Sequence, residues 1–176
     1  APRNAMTVDV EDYFQVSAFE AHVPRASWER TATRVEANVD RVLELFARHD
    51  VRATFFTLGW VAERHPAMVR RIVAAGHELA SHGWDHTRVT EQDRESFRAD
   101  VQRTRALLED LGGVRVRGYR APSYSINGGN LWAHEVLADT GHAYSSSMAP
   151  LRHDLYGRRD APRFLSDAAW GRGGET

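Results

Sequence analysis

The sequence predicts an α/β fold, a distorted and incomplete (β/α) barrel of parallel strands. Five strand-like runs alternate with helical stretches along the 176 residues. Consecutive parallel strands need a connection long enough to hold a helix, so this alternation predicts a parallel sheet covered by helices. Closing such a barrel takes roughly seven or eight strands, so we expect an open sheet. An open edge leaves backbone N–H and C=O groups unpaired, and self-association into a homo-oligomer is therefore expected.

The predicted strands are short runs between the helical stretches, and the first two are rich in β-branched or aromatic residues. The strands are predicted at 5–10, 52–58, 77–80, 114–119 and 143–145. The first run ends in acidic residues, and the second stops at Gly59.

The predicted helices lie between these strands. Apolar residues recur at helical spacing from about 34 to 49, which gives that segment one apolar stripe. Pro66 is a good first-turn residue, and Gly76 ends the helix that it begins. Two further helices are predicted, at about 90–113 and 130–141.

The composition indicates one domain, which we expect to span residues 1–157, followed by an irregular tail at 158–176 that resembles a truncated continuation. The formal net charge of −1 gives no basic footprint, so no nucleic-acid partner is expected. No stretch approaches the roughly 18 apolar residues of a membrane span. A cytoplasmic location is slightly favoured, and secretion after removal of a leader is the alternative.

Two histidines and an acidic cluster predict a metal site. His82 and His86 are four residues apart, so a helical turn there would place both imidazoles on one face. Glu11 and Asp12 close the first strand and offer carboxylate oxygens. The chain has no cysteine, so any zinc must be held by histidine and carboxylate. Two histidines, one carboxylate and an open position form the ligand set of a catalytic zinc site.

Three motifs follow predicted strand ends, which is the edge where α/β proteins build their sites. They are Thr-Val-Asp-Val-Glu-Asp at 7–12, Ser-His-Gly-Trp-Asp-His at 81–86 and Arg-Gly-Tyr-Arg-Ala-Pro-Ser-Tyr at 117–124. Together they resemble the polysaccharide deacetylases, the carbohydrate esterase family 4 enzymes with a NodB homology domain. The resemblance implies a distorted barrel and metal-dependent removal of acetyl groups from an N-acetylated polysaccharide or oligosaccharide.

The resemblance also implies roles for single residues. Asp9 matches the general base, His82 and His86 match metal ligands, and Arg120 matches the arginine that orients the base. A guanidinium can hold a carboxylate through two N–H groups, so we expect a bidentate pair between Arg120 and Asp9.

Substrate contacts are expected on the same rim. A backbone N–H near Ser123 or Tyr124 can stabilise the oxyanion of the reaction. The rings of Trp84 and Tyr124 are candidates for stacking on sugar faces, although aromatic residues more often fill cores.

The first and last motifs depart from the family pattern. Val10 stands where the ligand aspartate is usual, so either Glu11 or Asp12 must replace it. Strand alternation favours Glu11, whereas a bend at the strand end would turn Asp12 inward. The late Leu-x-His motif, whose histidine protonates the leaving amine in the family, is not visible before Thr176.

Two other functions therefore stay open. One is hydrolysis of a small amide, and the other is carbohydrate binding without catalysis. Residues 9–14, with 156–157 and 160–164, resemble the branch of the family found with exosortase and exopolysaccharide gene systems.

Overall fold

The computed structural model describes residues 5–151 and the single positions 157, 159, 161, 162 and 166. Most of the tail predicted at 158–176, and most of the branch signature at 156–164, thus lie outside the described residues.

The five predicted strands and four predicted helices are present among the described residues, and a fifth helix, which was not predicted, follows the second strand. The strands are β1 (Met6–Val10), β2 (Ala53–Thr57), β3 (Glu78–Ser81), β4 (Gly118–Tyr119) and β5 (Tyr144–Ser145). The helices are α1 (Val35–Arg48), α2 (Gly59–Arg64), α3 (Pro66–Ala74), α4 (Arg94–Gly112) and α5 (Trp132–Asp139). The predicted segment 114–119 is strand only over its last two residues, and α2 begins where the sequence predicted only a stop at Gly59.

The strands form one sheet in the order β1-β2-β3-β4-β5, and every neighbouring pair is parallel. Among the described residues β1 and β5 are the two edges, which fits the predicted incomplete barrel. The parallel register aligns the carboxyl ends of all five strands, so the residues that follow them meet at one rim.

The helices bury the outer side of this sheet. Val35, Val39 and Phe46 on α1 pack with Phe55 of β2 in one core cluster. The long helix α4 packs against α2, α3, α5 and β3. Asp93 caps α4 in a reciprocal pair with Ser96, and Gly113 ends it at φ 63°, a left-handed conformation that glycine adopts without strain.

No helix among the described residues has both the length and the apolar run that crossing a bilayer requires.

Candidate metal centre and catalytic cleft

The acidic residues at the end of β1 divide between two sides of the chain. Val10 is 1% exposed and belongs to the core beneath α1. Asp9 and Glu11, on either side of it, both line the cleft at the strand ends. Side chains alternate along an extended strand, so two acids separated by one residue reach the same face.

His82 and His86 lie in a loop after β3, and the predicted helical turn is wrong. Gly83 has φ 76° and His86 has φ 61°, values that no right-handed helical turn contains. Two consecutive carbonyl groups of this loop accept hydrogen bonds from the start of α2. The N–H groups of Gly59 and Trp60 donate to the carbonyl oxygens of Gly83 and Trp84 at 2.9 and 2.8 Å. The N-terminus of α2, which the sequence did not reveal, therefore holds the histidine loop.

A buried carboxylate supports this loop from the other side. Asp100 on α4 accepts a hydrogen bond from the Trp84 N–H at 2.7 Å. A Cβ at Gly83 would lie 3.4 Å from Asp100 Oδ2, so glycine lets the loop approach the carboxylate closely. Burial raises the pKa of Asp100 to about 6, against the opposing effect of the Trp84 hydrogen bond.

Glu11, His82 and His86 bring three possible ligand atoms together. Glu11 Oε2 lies 2.9 Å from His86 Nε2 and 3.8 Å from His82 Nε2, and one ligand atom from each residue lies within 4.8 Å of the others. Glu11 Oε2 is buried, and no donor among the described residues has the geometry of a hydrogen bond to it. A buried carboxylate oxygen without a hydrogen bond is costly unless a cation pairs with it, so this group fits a divalent ion.

The protonation states also suit metal binding. Burial lowers the pKa of His82, and the charges of Asp9 and Glu11 offset this only in part. Its Nδ1 lies 2.8 Å from the carbonyl oxygen of Arg120, so Nδ1 carries the proton and the Nε2 lone pair faces Glu11. Burial alone would raise the pKa of Glu11, but the proximity and charge of His86, with the charge of His82, hold it below its ordinary value.

Asp12 does not join this group, which removes it as the alternative carboxylate. Its Oδ2 accepts hydrogen bonds from the N–H groups of Arg34 and Val35 at 2.7 and 3.1 Å, and Oδ1 accepts one from Tyr13 at 2.9 Å. Asp12 is 2% exposed. These bonds satisfy donors at the start of α1, so the carboxylate caps that helix from a distant part of the chain.

Arg120 contacts Asp9 through one nitrogen, so the predicted bidentate pair between these two residues is wrong. Its Nη1 donates to Asp9 Oδ1 at 2.7 Å and to Thr7 Oγ1 at 3.1 Å. Nε and Nη2 donate instead to the carbonyl oxygen and hydroxyl of Ser146, at 3.2 and 2.9 Å. The ring of Phe56 lies 4.1 Å from the guanidinium carbon. Ser146, which directly follows β5, thus fixes the guanidinium of Arg120, and Nη1 alone donates to Asp9.

The cleft beside these residues has a volume of about 190 Å³ and opens to solvent; its lining comprises Asp9, Glu11, Val16, Ser17, His82, His86, Ala121, Ser123 and Tyr124. Ser123 and Tyr124 therefore lie where the sequence predicted substrate contacts. The Tyr124 N–H donates to Ala121 O at 3.0 Å, which leaves Ser123 as the better candidate of the two for oxyanion contact.

The substrate-contact prediction for Trp84 is corrected. Its ring packs on the backbone of Gly59, where an added Cβ would lie 2.4 Å from it, and the Arg103 guanidinium covers it at 3.2 Å from the ring centroid. The ring is therefore enclosed between α2 and α4 and does not line the cleft. His77, in contrast, has a structural role, because its Nδ1 accepts the Ala53 N–H at 3.2 Å.

The chain matches the model of a protein family described as polysaccharide deacetylase over residues 27–144. The match includes His82, His86 and Arg120 and begins after Asp9 and Glu11.

Two relatives show the same kind of similarity over part of their length. The peptidoglycan-N-acetylglucosamine deacetylase PgdA of Listeria monocytogenes is 34% identical over 86 residues, or 49% of this chain and 18% of that protein. The chitooligosaccharide deacetylase of Sinorhizobium fredii is 36% identical over 103 residues, or 58% of this chain and 45% of that protein. The chain thus spans less than half the length of either relative.

Solved structures agree on the fold. A Mycobacterium smegmatis protein assigned to the polysaccharide deacetylases is 32% identical, with a TM-score of 0.67 over 82% of this chain and 50% of that one. A carbohydrate esterase family 4 pseudoenzyme from Bacillus anthracis has a TM-score of 0.62 at 20% identity, over 80% of this chain and 41% of that one. At that identity the second likeness concerns the fold alone.

Proposed function

Because the chain belongs to the polysaccharide deacetylase family, we propose that it hydrolyses the acetamido group of N-acetylated sugars in a polysaccharide, with one bound zinc ion. The observation that carries the proposal is the meeting of Glu11, His82 and His86 in a cleft that also contains Asp9. We assign an exopolysaccharide as the polymer because residues 9–14 resemble the exosortase-associated branch of the family.

Glu11, His82 and His86 would hold the ion. Two imidazole nitrogens and one carboxylate oxygen are the ligands of many catalytic zinc sites, and the cleft leaves the remaining side open to solvent. When bound, zinc lowers the pKa of a coordinated water to about 7 and polarises a carbonyl oxygen. The hydrogen bond of His82 Nδ1 to Arg120 O fixes the ring so that Nε2 keeps its orientation.

Asp9 is the proposed general base. It lines the cleft beside the three ligand residues, and Arg120 Nη1 holds one of its oxygens at 2.7 Å. From this position its carboxylate can accept the proton of a water that attacks the acetyl carbonyl. As the new C–O bond forms and the C–N bond breaks, the same proton can pass to the departing sugar nitrogen, so that acetate and a free amine result.

The base and the metal ligands are linked through Arg120. Its side chain holds Asp9, and its backbone carbonyl accepts from His82, so one residue sets the relative position of both groups. Ser123 also lines the cleft, with φ 52°, in a left-handed conformation that serine seldom adopts. We assign its N–H group to the developing oxyanion.

Acetate release tests the proposal directly. Wild-type protein with added zinc is compared on N-acetylglucosamine oligomers and on small linear and cyclic amides. We expect acetate from the oligomers and little turnover of the small amides. His82→Ala should remove activity, whereas His49→Ala, which alters an exposed histidine at the end of α1, should not.

A second candidate is carbohydrate binding without catalysis. A pseudoenzyme of carbohydrate esterase family 4 shares this fold, so the fold alone does not ensure turnover. Oligomer binding with no acetate release in the same assay would establish this candidate, and preferential hydrolysis of a small amide would establish an amidohydrolase in its place.

A further inference from the structure

Two large aromatic side chains lie exposed on the segment that follows β1. Tyr13 is 40% exposed and Phe19 is 44% exposed, and the other aromatic residues of the described chain are more deeply buried. Their ring centroids are 6.4 Å apart, with an interplanar angle of 86°. Single exposed apolar residues are common, but a contacting aromatic pair beside a cleft is a feature of binding surfaces.

The pair is continuous with the cleft wall. Phe19 ends a short 3-10 turn, Ser17–Phe19, and its N–H donates to Val16 O at 3.0 Å. Side chains three residues apart align in such a turn, so Phe19 lies one turn beyond Val16, which lines the cleft. Ser17 Oγ lies 2.7 Å from Ser123 Oγ, and this contact ties the turn to a second residue of the cleft lining.

Several contacts position the Tyr13 ring and the backbone of Phe19. The Tyr13 ring contacts the buried Phe14 ring edge to face, with centroids 5.3 Å apart. The Arg34 guanidinium lies 4.9 Å from the Tyr13 centroid. Backbone N–H groups of His22 and Val23 both donate to Phe19 O at 2.8 Å. A ring that is already ordered loses little conformational entropy on binding, which favours affinity.

We propose that Phe19, supported by Tyr13, is the stacking platform for a pyranose ring next to the sugar whose acetamido group enters the cleft. This inference rests on the proposed function and specifies its substrate as an oligomer. One face of a pyranose ring presents C–H groups that pack on an aromatic ring, while the hydroxyl groups at its edge stay in water. An exposed ring one turn from Val16, which lines the cleft, provides both environments.

Calorimetric titration tests the platform without turnover. Binding of N-acetylglucosamine monomer and tetramer is measured in the zinc-loaded Asp9→Asn protein, with and without Phe19→Ala. We expect Phe19→Ala to weaken tetramer binding about 2- to 10-fold and to leave monomer binding unchanged. Phe19→Trp should restore tetramer affinity. Leu45→Ala is the matched control, because Leu45 is 43% exposed on α1 and does not line the cleft.

The platform is refuted if the tetramer binds no better than the monomer, or if Phe19→Ala leaves tetramer affinity unchanged. Acetate release by the wild-type protein is a separate readout. Loss of tetramer affinity in Phe19→Ala without any acetate release from wild type would retain the platform and refute the proposed hydrolysis. Melting temperatures of the Phe19 variants within the range of the Leu45→Ala control would exclude misfolding as the cause of weaker binding.

Discussion

Replacing Glu11 and Asp12 one at a time should give opposite results, because Glu11 faces His82 and His86 whereas Asp12 caps helix α1. In Glu11→Gln the side chain keeps its size but loses the charge beside His82 and His86. In Asp12→Ala the N–H groups of Arg34, Val35 and Tyr13 lose their acceptor. We expect Glu11→Gln to lose the metal and keep the fold, and Asp12→Ala to keep the metal and lose stability.

The magnitudes follow from these contacts. Loss of an outer-shell partner lowers metal affinity about 10- to 100-fold, so loss of the Glu11 carboxylate should lower it by more than about 100-fold. Removing a helix cap costs about 0.5–2 kcal/mol, and leaving a buried donor unpaired costs about 1–3 kcal/mol. Asp12→Ala should therefore lower the free energy of unfolding by about 2–4 kcal/mol. Asp12→Asn keeps one acceptor oxygen and should cost less.

Two measurements separate the outcomes. Zinc stoichiometry by elemental analysis, after dialysis against a weak chelator, reports on the ligand. Urea denaturation of the metal-free proteins reports on the cap, so a loss of bound metal cannot be mistaken for it. Full zinc occupancy in Glu11→Gln together with loss of zinc in Asp12→Ala, at unchanged metal-free stability, would refute the assignment of both residues.

Four further predictions follow. Asp9→Asn should retain the metal and lower kcat about 10²- to 10⁴-fold on an N-acetylated oligomer, and near-normal turnover would exclude Asp9 as the base. Arg120→Lys should lower kcat about 10²-fold, because lysine cannot hold Asp9 and Ser146 together; an unchanged rate would contradict this. Asp100→Asn should stabilise the protein at pH 7 by up to about 3 kcal/mol, because the pKa of Asp100 is raised to about 6 and its charged carboxylate lowers the stability of the folded protein at neutral pH. This loss of stability disappears as the pH falls below about 4. Urea denaturation should therefore show a smaller gain for Asp100→Asn at pH 4.5 than at pH 7. Light scattering should show self-association of residues 1–176, because β1 and β5 are open edges among the described residues, and a stable monomer would count against this expectation.

The parallel sheet was predictable because the first two strands are β-rich runs and most helices carry an apolar stripe at helical spacing. Helix α2 was missed because Gly59–Arg64 is too short to show helical periodicity and begins with a glycine that usually marks a stop. Its contribution is nevertheless direct, since its first N–H groups bind the loop that carries the histidines. Short elements stabilised by tertiary contacts leave little trace in a sequence.

The residues of the candidate site were predictable from their motifs, whereas their contacts were not. The helical turn expected for His82 and His86 is a loop, in which positive φ angles and the contact with Asp100 take the place of i, i+4 geometry. Trp84 stands inside the second motif but turns away toward Arg103, because the neighbouring Gly59 leaves room for its ring. Packing partners distant in sequence decide both outcomes.

The identity of the carboxylate beside the histidines is determined by one apolar residue. Val10 fills the core under α1, so its neighbours Asp9 and Glu11 must both point to the other side of β1, toward the cleft. At Asp12 the chain turns, with the Gln15 N–H donating to Asp12 O at 2.9 Å, and the Asp12 side chain meets the start of α1. An acid at position 10 would lie in that apolar core without a partner, at a large desolvation cost. Strand alternation therefore explains why Glu11, two residues after Asp9, is the acid that lies beside His82 and His86.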